Sequence, residues 1–300
     1  MTGRTLSQTI LVMFLWAVCY PLLATGIQFA PHLTFATLRA ALAGFVLTAA
    51  AIALRRPLPR GTRTWLVIGA IGLGATSLGY LGMFHAAEFV SPGIATVIAN
   101  TQPLLAAALA ASMLNERLGR LGLLGLALGF AGIVLIASPH VVARWQAAYL
   151  IGIGYILLAA LGITVSNVLI KRISGEVDAL MVVGLQLMIG SLPLAAGAWA
   201  LEDPGRVVWS VEFVGALLSL SLFGSALVYW LWFRVLEEAP LNRANAFSFL
   251  IPIFGLTMGA LFYGEVPGWP ERAGIALAVV GVALVGRDQP QPALARTPRA

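Results

Sequence analysis

Charge is scarce in this 300-residue chain. Asp, Glu, Lys and Arg make up 10% of it, 60% is hydrophobic, and the mean hydropathy is +0.92. A soluble domain carries about 25% charged residues, so a soluble globular fold is excluded. Cysteine is nearly absent: Cys19 stands alone, which excludes an intrachain disulfide, and with three histidines and no Cys/His cluster no metal is expected. No Asp or Glu falls deep inside an apolar run, so the intramembrane carboxylate on which proton-coupled antiporters generally depend is missing. No GxxxxGK[ST] loop occurs, so ATP hydrolysis by that route is excluded and no cofactor is expected. The net charge of +6 comes from short basic clusters scattered between apolar runs. That pattern sets orientation in a bilayer and does not suggest nucleic acid.

What the chain has is apolar runs. A membrane span needs about 20 such residues, and on that rule ten helices are predicted at 6–27, 33–54, 64–86, 91–113, 119–138, 148–170, 178–200, 211–236, 240–263 and 270–286. The expected fold is an all-α integral membrane protein. The first run follows Arg4 like a signal peptide but is too long for one and lacks a clear small-residue cleavage site, so it reads as a retained helix. Alternate loops carry fourteen and three of the Lys and Arg residues, with Arg39 inside a run. The positive-inside bias therefore predicts both termini in the cytoplasm, and a multi-pass protein of the bacterial cytoplasmic membrane. The Pro-rich tail 287–300 reads as disordered.

The second half repeats the first at an offset of 149 residues. Tyr80, Phe84, Pro103 and Glu116 recur as Tyr229, Phe233, Pro252 and Glu265, and Gly119, Gly125 and Gly132 recur as Gly268, Gly274 and Gly281. The expected units are 1–143 and 144–286, five helices each. Five is odd, so the second copy is predicted inverted, with a binding site near the pseudo-two-fold axis at mid-depth.

The candidate binding residues follow from that axis. Arg39 is the one basic residue inside an apolar run; it either attracts a substrate carboxylate or snorkels to the interface and binds backbone carbonyls. Pro103 and Pro252 sit at matching mid-helix positions, flanked by Asn100, Thr101 and Gln102 in one copy and by Asn245 and Ser248 in the other. A proline frees a carbonyl one turn earlier, which in lipid must face protein or a cavity. Trp16 and Tyr20 share a helix face, as do Ser77, Tyr80 and Phe84. Tyr80 and Tyr229, related by the repeat, suit an aromatic wall for an apolar side chain. Ser166, Asn167 and Gln186 are neutral groups that either orient a polar ligand or bond neighbouring helices. Glu116 and Glu265 read as helix-end caps, the glycines after them as close-packing faces, and His85 with Glu88 as an interface pair.

The chain resembles the ten-helix EamA-type branch of the drug/metabolite transporter superfamily. The resemblance is carried by Trp16 and Pro21, by Arg39, by the run from Pro103 to Glu116-Arg117-Leu118-Gly119 with its glycine-rich helix, and by Pro252, Gly264-Glu265 and Gly274 to Gly281 in the second copy. Among its branches the YddG-type bacterial amino-acid exporters are similar in length, topology and aromatic candidates. The resemblance implies a central cavity lined by helices 1, 3, 4, 6, 8 and 9, alternating access by rocking, and structural or dimer-forming helices 5 and 10. It implies export of amino acids, aromatic or apolar ones included, or similar metabolites, by a facilitative or exchange mechanism, in a monomer or homodimer without enzymatic activity. The open alternatives are a sugar-phosphate or nucleotide-sugar exchanger, a proton-coupled drug exporter, and a membrane-embedded lipid enzyme. The enzyme reading would rest on Glu265 and Glu271.

Overall fold

The computed structural model describes residues 1–86, 89, 98–138, 147–263 and 267–288. Glu88, His140, Gly264, Glu265 and the tail from 289 lie outside the described residues, as do the side chains of Tyr20 and His85. Taking consecutive helical segments together, the helices are α1 (Gly3–Gly26), α2 (His32–Ala53), α3 (62–86), α4 (Gln102–Met113), α5 (Arg120–Ala137), α6 (Ala147–Ile173), α7 (Ala179–Leu201), α8 (Val211–Glu238), α9 (241–263) and α10 (Trp269–Arg287). Among the described residues, eight stretches are long and apolar enough to cross a membrane, while α4 is shorter and α9 is interrupted. Among the described residues there is no strand.

Local chemistry sets several ends. Thr2, Asp178 and Ser210 accept the free amide hydrogens that open α1, α7 and α8. Glu202 reaches across from the end of α7 to take the Leu33 and Thr34 N–H groups of α2, each at 2.8 Å. Asp288, just past α10, takes the Gly119 N–H before α5 at 2.7 Å. At the end of α4, Asn115 adopts φ 57°, and the Glu116 N–H turns back to the Ala110 carbonyl at 3.0 Å.

Helices at equivalent places in the two repeats pack antiparallel. Along α2 and α7, Gly44 lies on the Met188 backbone while Thr48, one turn on, lies on Gly184. Along α5 and α10, Gly125 lies on the Gly281 carbonyl and Gly132 on that of Gly274. A Cβ added at any of these four glycines would meet backbone at 2.5 to 2.6 Å, so only glycine lets the backbones approach this closely. The outer surface is apolar, with Phe45, Leu66, Leu192 and Leu261 exposed, far beyond what a soluble monomer presents. Trp199, 82% exposed, and the exposed Trp209 and Trp269 stand at or just beyond helix ends, as interfacial tryptophans do.

Two departures from regular helix recur in both copies. In α3 the stretch Gly72–Leu78 winds as π-helix, and in α8 so does Leu222–Leu227, at nearly the same repeat positions. The chain turns at 100–101 just before α4, and α9 breaks into a 3-10 turn at Phe247–Phe249. Pro103 therefore occupies the first turn of α4 and not a mid-helix kink. That is where proline costs least, since an N–H there has no intrahelical acceptor to lose. Pro252 likewise follows the break in α9.

Candidate functional site

The π-helical stretch of α8 sits over Arg39. A π turn leaves carbonyls out of the regular ladder, and the Gly224 carbonyl accepts from Arg39 Nη2 at 2.9 Å. Arg39 Nε donates to Ser225 Oγ at 2.8 Å, and the guanidinium carbon stands 4.9 Å from the centre of the Tyr80 ring, a cation–π distance. The Tyr80 hydroxyl closes the loop on Ser225 Oγ at 2.8 Å. Cys19 of α1 approaches Nη2 at 3.9 Å, and its thiol donates to the Leu15 carbonyl. Arg39 is 6% exposed and Tyr80 3%. Four helices from both copies thus meet on one buried cation.

Thr76 is the repeat mate of Ser225 at the offset of 149. It performs the equivalent task in α3, donating to Gln186 Oε1 of α7 at 2.9 Å. The same joint between a π stretch and the second helix of the opposite copy is built twice, with a guanidinium at one joint and a neutral amide at the other.

A second chain of contacts runs beside the first. Trp16 meets Tyr229 edge-on at 6.4 Å and Trp232 at 5.4 Å. Trp232 Nε1 donates to Asn167 Oδ1 at 2.9 Å, Asn167 Nδ2 to Asn245 Oδ1 at 3.3 Å, and Asn245 Nδ2 to the Leu241 carbonyl at 3.0 Å. Tyr229 belongs to both groups, since its phenol also interacts with Tyr80 and Arg39. Trp16, Arg39, Tyr80, Asn167 and Tyr229 are therefore brought together.

The remaining candidates lie elsewhere. Ser166 donates to the Gly162 carbonyl and reaches Ile71 of α3, and Gln186 is engaged by Thr76, so both hydrogen-bond at helix contacts. Asn100 and Pro103 are buried, and Gln102 and Pro252 are half-buried. Ser248 is buried with an Oγ that has no hydrogen-bond partner, as has Ser221 at the mouth of the α8 π stretch. Ser225, Gly224 and Cys19 were not singled out as binding residues from the sequence. The hydroxyl shared by Thr76 and Ser225 at the repeat offset was the signal available.

Nearer the N-terminal side, the connection between α8 and α9 is pinned from three directions. Lys171 Nζ donates to the Leu236 and Ala239 carbonyls at 2.7 Å each, Glu116 accepts the Leu241 N–H at 2.6 Å, and Thr5 donates to Glu238 at 2.6 Å. Burial pushes the Glu116 carboxyl above its ordinary value, while the Leu241 N–H and the Lys171 charge restrain the rise. Glu116 thus caps a helix, in this case α9 rather than its own neighbour α5. Apart from all these, an open groove of about 380 Å³ runs between α1 and α9, lined by Ser7, Ile10, Leu11, Phe14 and Phe254. Its walls are apolar apart from Ser7, with few polar groups to orient a small solute.

The family model described as "EamA-like transporter family" matches residues 4–138 and again 150–287. A chloroplastic WAT1-related protein of Arabidopsis thaliana is 30% identical over 291 residues, covering 94% of this chain and 70% of its own. A Salmonella typhimurium protein named "Probable amino-acid metabolite efflux pump" is 26% identical, covering 91% of each chain. One from Streptantibioticus cattleyicolor named "Probable terminal-alkyne amino-acid exporter" is 25% identical, covering 93% of this chain and 92% of its own. A solved crystal structure superposes with a TM-score of 0.83 at 19% identity, covering 96% of this chain and 99% of its own, a likeness of fold.

Proposed function

Since the chain belongs to the EamA-like transporter family, we propose that it exports amino acids or similar small metabolites by alternating access, without enzymatic chemistry. On this reading it crosses the bacterial cytoplasmic membrane ten times, as two inverted five-helix halves (1–143 and 144–286) with both termini in the cytoplasm. It works as a monomer or homodimer.

The observation that carries the reading is the meeting of both repeats at one buried cluster. There a cation, two phenols and an amide pair lie beside the rings of Trp16 and Trp232. A zwitterion with an apolar side chain needs such a pairing of polar groups and aromatic wall. Cations are scarce: the titratable groups acting on Arg39 are Tyr80, Cys19 and Tyr229, with no second cation. A phosphate monoester calls for more positive charge than that, so the sugar-phosphate reading is the weaker one. Relatives named for amino-acid efflux supply independent support.

The test is counterflow uptake of a labelled amino-acid panel into liposomes holding the purified protein, with and without a pH gradient. Saturable uptake without the gradient is expected. Absence of uptake across the whole panel sinks the amino-acid reading, and uptake that requires the gradient sinks the facilitative one.

A further inference from the structure

We propose that Arg39 anchors a carboxylate of the transported molecule, so that the cargo must carry an acid group and its uncharged amide is rejected. The proposal rests on the transport reading above and narrows its substrate class.

Three observations converge on it. First, among the described residues the guanidinium is buried without a counter-charge: its titratable neighbours are two phenols and a thiol, and it makes no ion pair with them. A cation held this way in low dielectric is costly, and an incoming anion offsets that cost. Second, its hydrogen bonding is incomplete among the described residues. Nε donates to Ser225 and Nη2 to Gly224 and Cys19, while Nη1 meets no acceptor among them. The Tyr80 face and the two fixed bonds hold the guanidinium plane still, a geometry suited to a carboxylate oxygen reaching Nη1 when the site opens. Third, the joint does not need a charge. At the equivalent place in the other copy, Gln186 and Thr76 tie α7 to α3 with a neutral bond. Helix fastening alone therefore leaves the positive charge of Arg39 unexplained, and so does snorkelling, because the head group bonds inward.

The experiment compares matched ligands on the wild-type protein in nanodiscs of zwitterionic lipid, where no anionic headgroup competes. The probes are L-leucine, L-leucinamide, 4-methylpentanoate, its uncharged amide 4-methylpentanamide, and 3-methylbutylamine, with the corresponding phenylalanine set. Binding is read from the change in total tryptophan emission, to which Trp16 and Trp232 contribute among eight tryptophans, and from thermal stabilisation. Each acid is expected to bind at least about tenfold more tightly than its amide or amine, the worth of one charge-assisted hydrogen bond. Arg39→Gln should abolish that preference, and Arg39→Lys should retain part of it. Equal binding of acid and amide, no binding by any acid, or an acid preference that survives in Arg39→Gln each overturns the proposal. The wild-type comparison decides even where the Gln variant fails to fold. If 4-methylpentanoate binds as well as leucine, the carboxylate anchor stands and the amino-acid reading falls. If leucine is carried in counterflow yet binds no better than its amide, the transport reading stands and the anchor falls.

Discussion

Tyr80 and Ser225 stand 145 residues apart and in opposite repeats, yet their hydroxyl oxygens are 2.8 Å apart, and Ser225 also accepts the Nε hydrogen of Arg39. Neither residue makes this joint alone. Ser225 must lie in a π-helical turn that frees the neighbouring Gly224 carbonyl for the same guanidinium. The joint therefore links backbone irregularity, side-chain chemistry and repeat symmetry at one point.

Ser225→Ala removes the acceptor of a buried guanidinium N–H and the partner of a buried phenol. Leaving such donors unmade costs about 1–3 kcal/mol, and the variant is expected to melt at a lower temperature in detergent. Ser225→Thr keeps the hydroxyl and should lie nearer the wild type. An unchanged melting temperature for the alanine variant contradicts the arrangement.

The glycine seam between α5 and α10 makes a sharper prediction. A Cβ at Gly274 would meet the Gly132 carbonyl at 2.5 Å and Ile136, and one at Gly281 the Gly125 carbonyl at 2.5 Å. Backbone cannot yield as a side chain can, so Gly274→Ala and Gly281→Ala are expected to lower the yield of monodisperse protein on fluorescence-detected size exclusion. Gly215→Ala and Gly255→Ala, with open space at the Cβ position, serve as controls and should leave it unchanged.

How far the sequence could be read follows from what repeats leave behind. Apolar runs and the 149-residue offset sufficed for helical class and duplication, because both are written in composition and identity. The glycine seam was legible for the same reason. The π stretches were not: Gly72–Leu78 and Leu222–Leu227 contain no proline to mark them, and they coincide with the Gln186 and Arg39 joints that only tertiary packing brings together. Arg39 was conspicuous as a lone charge, while its partner Ser225 resembled any small polar residue in a membrane helix. Pro103 was placed mid-helix because the apolar run resumes directly after the polar Asn100, Thr101 and Gln102, so a span-length window bridges the turn at 100–101.

Tyr229 connects the guanidinium cluster to the tryptophans, so it is the residue whose loss should separate transport from folding. Tyr229→Ala is expected to reduce the initial rate of amino-acid uptake by about tenfold or more, on the scale of one aromatic contact plus one buried hydroxyl bond. The protein should still insert and elute as a single species. Tyr229→Phe, which keeps the ring beside Trp16, should retain most of the rate. Full activity in the alanine variant removes Tyr229 from the substrate path.

Glu116 offers a pH test whose sign follows from its surroundings. Burial lifts its carboxyl above the ordinary 4.5, and the Leu241 N–H and Lys171 reverse this only in part. The folded protein therefore holds this proton more firmly than the unfolded chain. The stability it contributes is fully present below the ordinary value and is lost as pH rises through the raised one. Glu116→Gln keeps an oxygen for the Leu241 N–H and carries no charge to desolvate. Its melting temperature at pH 7 should equal or exceed that of the wild type, and the gap should close as pH falls toward 4.5. Glu116→Ala leaves the Leu241 N–H uncapped and should cost about 1 kcal/mol at either pH. The measurement is the melting temperature of the three proteins across pH 4.5 to 8 in detergent. A wild type that gains on the Gln variant as pH rises would show instead that Lys171 and the Leu241 N–H outweigh burial, and that the ionised carboxylate holds α9 in place.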